Sequence, residues 1–318
     1  MANAAGLPVS FSPNVKGVFF LVGPTGTGKS ELAAAVAEQI NAEVVSADAY
    51  QLYRGLGLLT AQPDAATLEK VRHHLIDLVD PTESMNAERF RRLATAAIAE
   101  IHGRGRAAIV VGGSGLYIRA LVEGLSPLPS ADAVLRDELE ASTTQQLHER
   151  LRNLDPALAQ TIDARNRRRL VRALEVCILT GTPFSRQRDR PNPPAGENGV
   201  LLLRERAELS ERLDRRVATM FAQGVVHEVI EAGAVGATAA RTLGYAAIQE
   251  LIAGRITEAE CIAAMQQATR RYAKRQLTWF RHQTSFPVLN LSVHGFSEAI
   301  EWIKREACRS FALRDVRN

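Results

Sequence analysis

The run Gly23-Pro24-Thr25-Gly26-Thr27-Gly28-Lys29-Ser30 gathers three glycines, a lysine and three hydroxyls within eight residues. Residues of these types at this spacing bind linked phosphates. The glycines let successive backbone N–H groups curl around a di- or triphosphate, and the helix that follows presents its positive dipole end. Lys29 adds a point charge, and the Ser30 hydroxyl can hold Mg²⁺. All eight residues are assigned to the phosphate site. The loop alone does not distinguish ATP from another phosphorylated leaving group. A carboxylate comes next: Asp48 directly follows the apolar run Val44-Val45-Ser46-Ala47, where a strand would deliver it to a ligand. Downstream, Ala108-Ile109-Val110-Val111 leads into Gly112-Gly113-Ser114-Gly115, without the acidic residue that an ATPase of this kind uses to order Mg²⁺ and water. That argues against hydrolysis more strongly than against phosphoryl transfer. Arg212 and Arg216 lie one helical turn apart, so they share a face, and a guanidinium fork suits phosphate oxygens. Arg212 has an equal alternative as a surface partner of Asp214 or Glu208.

The elements that must hold these groups follow from periodicity. Strands are expected at Val18–Val22, Val44–Ala47 and Ala107–Val111, with helices at Lys29–Ile40 and Asn86–His102 between them. Asn86 can cap the second helix and Gly103 can end it. Strand and helix alternating in this way is the pattern of a parallel α/β sheet. From Ser126 to about Arg190 strand signals vanish and a helical pattern takes over, broken at Asp155-Pro156 and at Thr180-Gly181-Thr182-Pro183. Pro191 to Gly196 reads as a linker, Val200–Leu203 as a return to the sheet and Val288–Leu291 as a late strand. The expected fold is α/β: a P-loop NTPase-like parallel sheet core from residues 1–125 and 197–318, with an inserted helical lobe at 126–196.

Composition narrows the partners. Eight arginines stand against Glu175 and Asp189 over residues 165–190, and five basic residues stand against no acid over 270–281, in a chain whose net charge is only +4. Basic segments on a mildly acidic body fit a polyanion larger than a nucleotide, such as nucleic acid. The chain has no apolar run near the length of a membrane span and no secretory leader pattern, so a cytoplasmic protein is expected. Cys177, Cys261 and Cys308 are odd in number and far apart, so they suggest neither a disulfide framework nor a zinc site, and they read as small core residues. His73, His74 and Asp77 invite a metal reading. Adjacent histidines rarely converge on one ion, so they are read as structural or as neighbours of the phosphates.

Four further blocks carry a resemblance. Ser46-Ala47-Asp48-Ala49-Tyr50-Gln51-Leu52-Tyr53-Arg54-Gly55, His73-His74-Leu75-Ile76-Asp77, Val111-Gly112-Gly113-Ser114-Gly115-Leu116-Tyr117 and Tyr272-Ala273-Lys274-Arg275-Gln276-Leu277-Thr278-Trp279-Phe280-Arg281 resemble the signature blocks of the bacterial tRNA dimethylallyltransferases, also called tRNA isopentenyltransferases. The likeness runs from the P-loop to about residue 282. It implies transfer of a dimethylallyl group from dimethylallyl diphosphate to the exocyclic amine of the adenosine 3′ of the anticodon, in tRNAs reading codons that begin with U. Mg²⁺ would be the only cofactor. The chemistry agrees with the residues: an adenine amine is a weak nucleophile, so a carboxylate that takes its proton helps, and Asp48 is the expected general base. Lys29 and the loop amides would stabilise the departing diphosphate.

The resemblance also implies further roles. Ser114 stands where the family usually has Thr, its hydroxyl at the reacting centre, and Arg216 matches a diphosphate-clamping arginine that Arg212 could assist. The tRNA grip would include Asp48, Ala49, Tyr50, Gln51 and Ser114 near the flipped base, Arg136, Arg168, Arg169 and Arg172 on the inserted lobe, and Arg241, Gly244 and Tyr245. It would continue through Lys274, Arg275, Gln276, Trp279 and Arg281. Trp279 could stack on a base or, more simply, pin its helix to the sheet. Ala49, Leu59, Gln62 and Ala246 depart from the family pattern, which bears on acceptor preference more than on reaction type. A monomer is expected. The rival readings are a prenyltransferase of free adenine nucleotides, which would have little use for the basic lobe, a small-metabolite kinase, which would consume ATP, and a catalytically silent RNA-binding module.

Overall fold

The structure, a computed structural model, describes residues 17–125, 128–187 and 198–315. Two compact units divide the chain, one built from residues 1–124 and 193–318 and the other from 125–192. In the first, the strands β1 (Val18–Val22), β2 (Ala42–Ser46), β3 (His73–His74), β4 (Ala107–Gly112), β5 (Gly199–Leu203) and β6 (Val288–Asn290) form one sheet. Their order is β3-β2-β4-β1-β5-β6, with every pairing parallel. The longer helices, in chain order, are α1 (Lys29–Gln39), α2 (Ala87–Gly103), α3 (Gly115–Val122), α4 (Ala133–Ala141), α5 (Thr144–Leu154), α6 (Arg167–Thr180), α7 (Arg206–Ala222), α8 (Val225–Glu231), α9 (Tyr245–Ile252), α10 (Glu258–Gln283) and α11 (Phe296–Asp315).

A parallel strand covered on both faces reads as an unbroken apolar run, and Val18-Phe19-Phe20-Leu21-Val22 is buried throughout. Its alternate residues feed two cores. Val18, Phe20 and Val22 join Phe90 and Ile101 of α2, Ile118 of α3 and Phe280 of α10. Phe19 and Leu21 turn to the other face and meet Leu32 and Val36 of α1 and Ile303 of α11. The register levels the carboxyl ends of the central strands, pairing Val22 with Gly112 and with Leu201, and Ser46 with Val111. The turns after β1, β2, β4 and β5 are thereby gathered along one edge of the sheet.

Most expected elements form within a residue or two of their predicted bounds. Asn86 caps α2, its side chain accepting from the Arg89 amide at 2.8 Å. Strand β3 was not foreseen, because two residues carry no periodicity. Cys177 and Cys261 are buried, but Cys308 is exposed on α11, so its reading as a core residue is corrected. No helix among the described residues is long and apolar enough to cross a membrane.

The second unit is helical, with no strand among its described residues. Leu139, Leu147, Leu151, Leu170 and Leu174 form its core. Asp155 caps the short helix at Pro156–Ala159 and accepts from the Ser185 amide and hydroxyl, and Gly181 ends α6 at φ 65°. These are the two breaks expected in this segment. The linker expected at Pro191–Gly196 lies outside the described residues. Glu175 is fully buried and takes Arg136 Nε at 2.9 Å, Arg172 Nη1 and the Asp132 amide. Burial raises its pKa, and these donors reverse the shift and leave it below the ordinary value.

A second buried carboxylate braces the sheet edge in the first unit. Glu43 of β2, 1% exposed, accepts from Arg104 Nη2 at 2.7 Å, Arg106 Nη1 at 3.4 Å and His74 Nε2 at 2.7 Å. The Arg104 hydrogen bonds, with help from His74, outweigh burial and draw its pKa from 4.5 down to about 2. A depressed carboxylate pKa contributes stability that is complete above the unfolded value and lost as pH falls through the folded one. Glu43→Gln is expected to destabilise the chain by about 2 kcal/mol at neutral pH. In urea unfolding the gap to the parent protein should narrow between pH 4.5 and about 2, the two ends of the Glu43 shift; a gap independent of pH would remove Glu43 as a charged brace.

Candidate active site

The turn after β1 wraps on itself. Thr27 Oγ1 and Lys29 Nζ both donate to the Pro24 carbonyl, at 2.9 and 2.6 Å. Gly28, in the left-handed region at φ 95°, caps α1 without a side-chain hydrogen bond, so the first amides of the helix keep no side-chain acceptor there. Three arginines hold consecutive residues of this loop. Arg216 Nη2 donates to Thr25 Oγ1 at 2.9 Å, Arg212 Nε to the Gly26 carbonyl at 3.1 Å and Arg204 Nε to the Thr27 carbonyl at 3.0 Å. Arg212 and Arg216 come from one face of α7, as their spacing indicated. The surface pairs considered for Arg212 are taken by others, since Asp214 binds Arg270 and Glu208 binds Arg204. Arg204 was missed, although its place directly after the strand Gly199–Leu203 was a usable signal.

Asp48 follows β2, and its Oδ1 accepts from the amides of Tyr50 at 2.9 Å and Gln51 at 3.4 Å. This turn fixes the carboxylate, and Ser114 ties the turn to the one after β4 by accepting from the Ala49 amide at 2.9 Å. The glycines around Ser114 are there for close packing. A Cβ on Gly113 would stand 2.2 Å from Gln276 Nε2, and one on Gly115 would stand 2.3 Å from the Trp279 ring. Gln276 of α10, 5% exposed, accepts from the Thr25 amide at 2.9 Å and donates to the Gly113 carbonyl at 2.9 Å. It clasps the first and third of these turns. Trp279 packs on Gly115 and edge-on to Phe280, with ring centroids 5.1 Å apart.

Two cavities adjoin this junction. The larger, about 650 Å³, runs from Lys29, Ser30 and Arg212 to Lys70 and His73, and the smaller, about 40 Å³, lies among Tyr50, Leu59, Met220, Met265 and Tyr272. Thr25, Asp48 and Arg216 belong to the walls of both. Electrostatics mark the shared wall. Burial, reinforced by Arg216 and opposed by Asp48, lowers the Lys29 pKa to about 7. Burial likewise lowers Arg216, again opposed by Asp48, and its Nε is enclosed without a hydrogen-bond partner. An orphaned guanidinium donor beside a desolvated lysine is a fitting receptor for phosphate oxygens.

The other candidate residues are more dispersed. Gln51 serves its own turn, donating to the Ala61 carbonyl and accepting from Ser46. Gly244, at φ 95°, starts α9 beside Tyr245, and Arg241 is exposed. Lys274, Arg275 and Arg281 are exposed on α10, with Arg275 5.6 Å from the centre of the Tyr272 ring. In the second unit Arg168 and Arg169 are exposed on α6, whereas Arg136 and Arg172 are bound to Glu175. His74 pairs with Glu43, His73 Nδ1 lies 2.8 Å from the Val71 carbonyl and Asp77 accepts from the Gly55 amide. These three diverge, and no cluster of three or more potential metal ligands occurs among the described residues.

The fold is that of a P-loop α/β protein, and its site places a carboxylate on the wall of the cavity beside the loop. The family model for IPP transferase matches residues 51–283. The chain is 44% identical over 265 residues to the tRNA dimethylallyltransferase of Akkermansia muciniphila, an alignment covering 83% of this chain and 90% of that one. It is 46% identical over 270 residues to tRNA dimethylallyltransferase 1 of Citrifermentans bemidjiense, covering 83% and 88%. Among solved structures, the tRNA isopentenylpyrophosphate transferase of Bacillus halodurans superposes with a TM-score of 0.69 at 34% identity, over 94% of this chain and 99% of that one. A eukaryotic dimethylallyltransferase acting on tRNA superposes at 0.73 with 26% identity, over 90% and 77%. The chain therefore belongs to the tRNA dimethylallyltransferase family, and it is a prenyltransferase.

The lowered Lys29 pKa gives a pH test. A diphosphate bound beside Lys29 would favour the ammonium, so binding above the free-enzyme pKa would take up a proton, and affinity is expected to fall as pH rises beyond about 7. By calorimetry, diphosphate binding is expected to weaken by up to about tenfold per pH unit above that point relative to Lys29→Met, which binds more weakly and lacks this slope. Parallel pH profiles for the two proteins would mean that Lys29 is charged before the ligand arrives.

Proposed function

We infer that the chain transfers a dimethylallyl group from dimethylallyl diphosphate to the exocyclic amine of the adenosine 3′ of the anticodon, in tRNAs reading codons that begin with U. The observation that carries this reading is the position of Asp48 on the wall shared by the larger cavity, beside the phosphate loop, and the smaller one. Diphosphate occupies the loop Gly23–Ser30, held by the loop amides, Lys29, Arg212 and Arg216, and the five-carbon tail points past Asp48. The adenosine leaves the stack of the anticodon loop to reach the carboxylate. The amine lone pair forms the N–C1 bond while the C1–O bond breaks, its electron pair leaving with diphosphate. Asp48 takes the amine proton. Ser114, which already fixes the Asp48 turn through Ala49, stands at the reacting centre.

Growing charge on the leaving oxygens is met by groups already in place, so stabilisation requires little reorganisation. Arg216 Nε is a donor without a protein partner, matched to an oxygen of the ligand. Mg²⁺ suits this donor set, because it needs only one or two protein oxygens beside phosphate oxygens and water, and Ser30 on the cavity wall would supply one. When bound it would neutralise diphosphate charge. The exposed Arg168, Arg169, Arg241, Lys274, Arg275 and Arg281 are the basic groups available to the tRNA backbone. The working form is taken to be a cytoplasmic monomer.

The test follows label from dimethylallyl diphosphate, with Mg²⁺ and without ATP, into unmodified tRNA carrying that adenosine, beside free AMP. Label in the tRNA alone is the expected result. Label only in AMP would move the chain to a free-nucleotide prenyltransferase, and ATP turnover without label would make the loop a kinase site. Asp48→Asn is expected to lower kcat by about 10²- to 10⁴-fold while diphosphate binding persists. Transfer at the parent rate by that variant would remove Asp48 as the base.

A further inference from the structure

Glu228 has no part in the reaction described above, yet it reaches a segment 170 residues earlier in the chain. Its carboxylate, on α8, accepts from the Leu58 amide at 2.7 Å and the Leu59 amide at 2.8 Å, one oxygen to each. The residue is half-buried. Burial raises its pKa, and the amides of Leu59, Leu58 and Gly57 only partly offset the rise. These amides open the short helix Gly57–Thr60, whose own cap residue, Leu56, supplies no side-chain acceptor. Four residues make too short a helix to stand alone, so its place depends on bonds from outside.

This segment completes the neck between the two cavities. Thr60 and Ala61 line both, together with Thr25, Asp48 and Arg216, and Leu59 lines the smaller one. Ala61 is held in the left-handed region at φ 51° and ψ 52°, a conformation that costs an alanine energy and persists only where its surroundings fix it. Two glutamines fix it from the side of the carboxylate turn. Gln51 Nε2 donates to the Ala61 carbonyl at 2.9 Å, and Gln62 Nε2 donates to the Gln51 carbonyl at 3.0 Å. The Gln51 amide in turn meets Asp48 Oδ1. Wall and carboxylate are set by one network, with Glu228 as its far anchor. We propose that Glu228 is a positioning residue, which holds Thr60 and Ala61 at the neck and so sets the space in which the amine meets C1 beside Asp48. It touches no reacting atom. The phosphate loop is held separately, by Arg204, Arg212, Arg216 and Gln276, so diphosphate should bind without help from Glu228. The inference rests on the functional reading already given.

The experiment compares the unaltered chain with Glu228→Gln and Glu228→Leu in two assays. One is single-turnover transfer to tRNA at saturating dimethylallyl diphosphate with Mg²⁺, and the other is binding of inorganic diphosphate by calorimetry. A misplacement of about an ångström at a reacting site costs up to about a hundredfold in rate. Glu228→Leu should therefore slow transfer about a hundredfold, and Glu228→Gln, which keeps one acceptor oxygen at the same reach, about tenfold. Diphosphate affinity should stay at the parent value in both, which a loss of fold would not allow. Glu228→Gln keeps the size of the side chain and decides the matter if Glu228→Leu does not fold. Transfer at the parent rate by either folded variant would overturn the inference. So would a fall in diphosphate affinity in step with the rate, which would make Glu228 a support of the whole unit. If the unaltered chain binds diphosphate but labels no tRNA, the functional reading itself falls, and this inference with it.

Discussion

Two cations enclosed beside a single carboxylate set the terms for the first unit. Lys29 and Arg216 are both desolvated enough for their pKa values to fall, and Asp48 offsets only part of that cost. The imbalance would be relieved if either side chain swung out to water. The fold prevents this by local ties: Lys29 rests on the Pro24 carbonyl, and Arg216 is fastened to Thr25. The stability forgone in the empty protein becomes affinity for an anion of the right shape, since a ligand bringing several negative oxygens removes the penalty from both groups.

Holding that imbalance requires the turns on the sheet edge to act as one body. Each is a short connection, buried or half-buried along most of its length. Gln276 joins the first turn to the third, Ser114 joins the second to the third, and Arg204 joins the fourth to the first. The contacts are close enough to dictate residue type, because a Cβ at Gly113 or Gly115 would collide with the side chains that do the clasping. The sequence Gly112-Gly113-Ser114-Gly115 is thus a packing requirement imposed by α10 as much as a ligand loop. Small backbone, one hydroxyl and no acid at this position also distinguish the site from one built to order water for hydrolysis.

How much of this was legible in the sequence depends on whether the partners are local. The phosphate loop, Asp48 and the shared face of Arg212 and Arg216 could be read, because strand, turn and helix periodicity place them without knowledge of distant residues. Strands β1, β2, β4, β5 and β6 were legible for the same reason, while β3 was too short to leave a pattern. Gln276 and Trp279 illustrate the limit. Their block was recognisable, but the tasks the structure gives them depend on glycines more than 160 residues away, a separation evident in the Gln276–Gly113 bond. Glu43 and Glu175 are buried because arginines from other elements meet them, which no local spacing shows.

The same geometry couples the carboxylate to the phosphate loop. Asp48 is the counter-charge for Lys29 and Arg216, and its Oδ1 is held in place by two backbone amides. A ligand that brought negative oxygens to the same two cations would take over part of that counter-charge role. The groups suited to hold an anion and the carboxylate beside them are thus coupled by position, on one wall of the site and without any moving part.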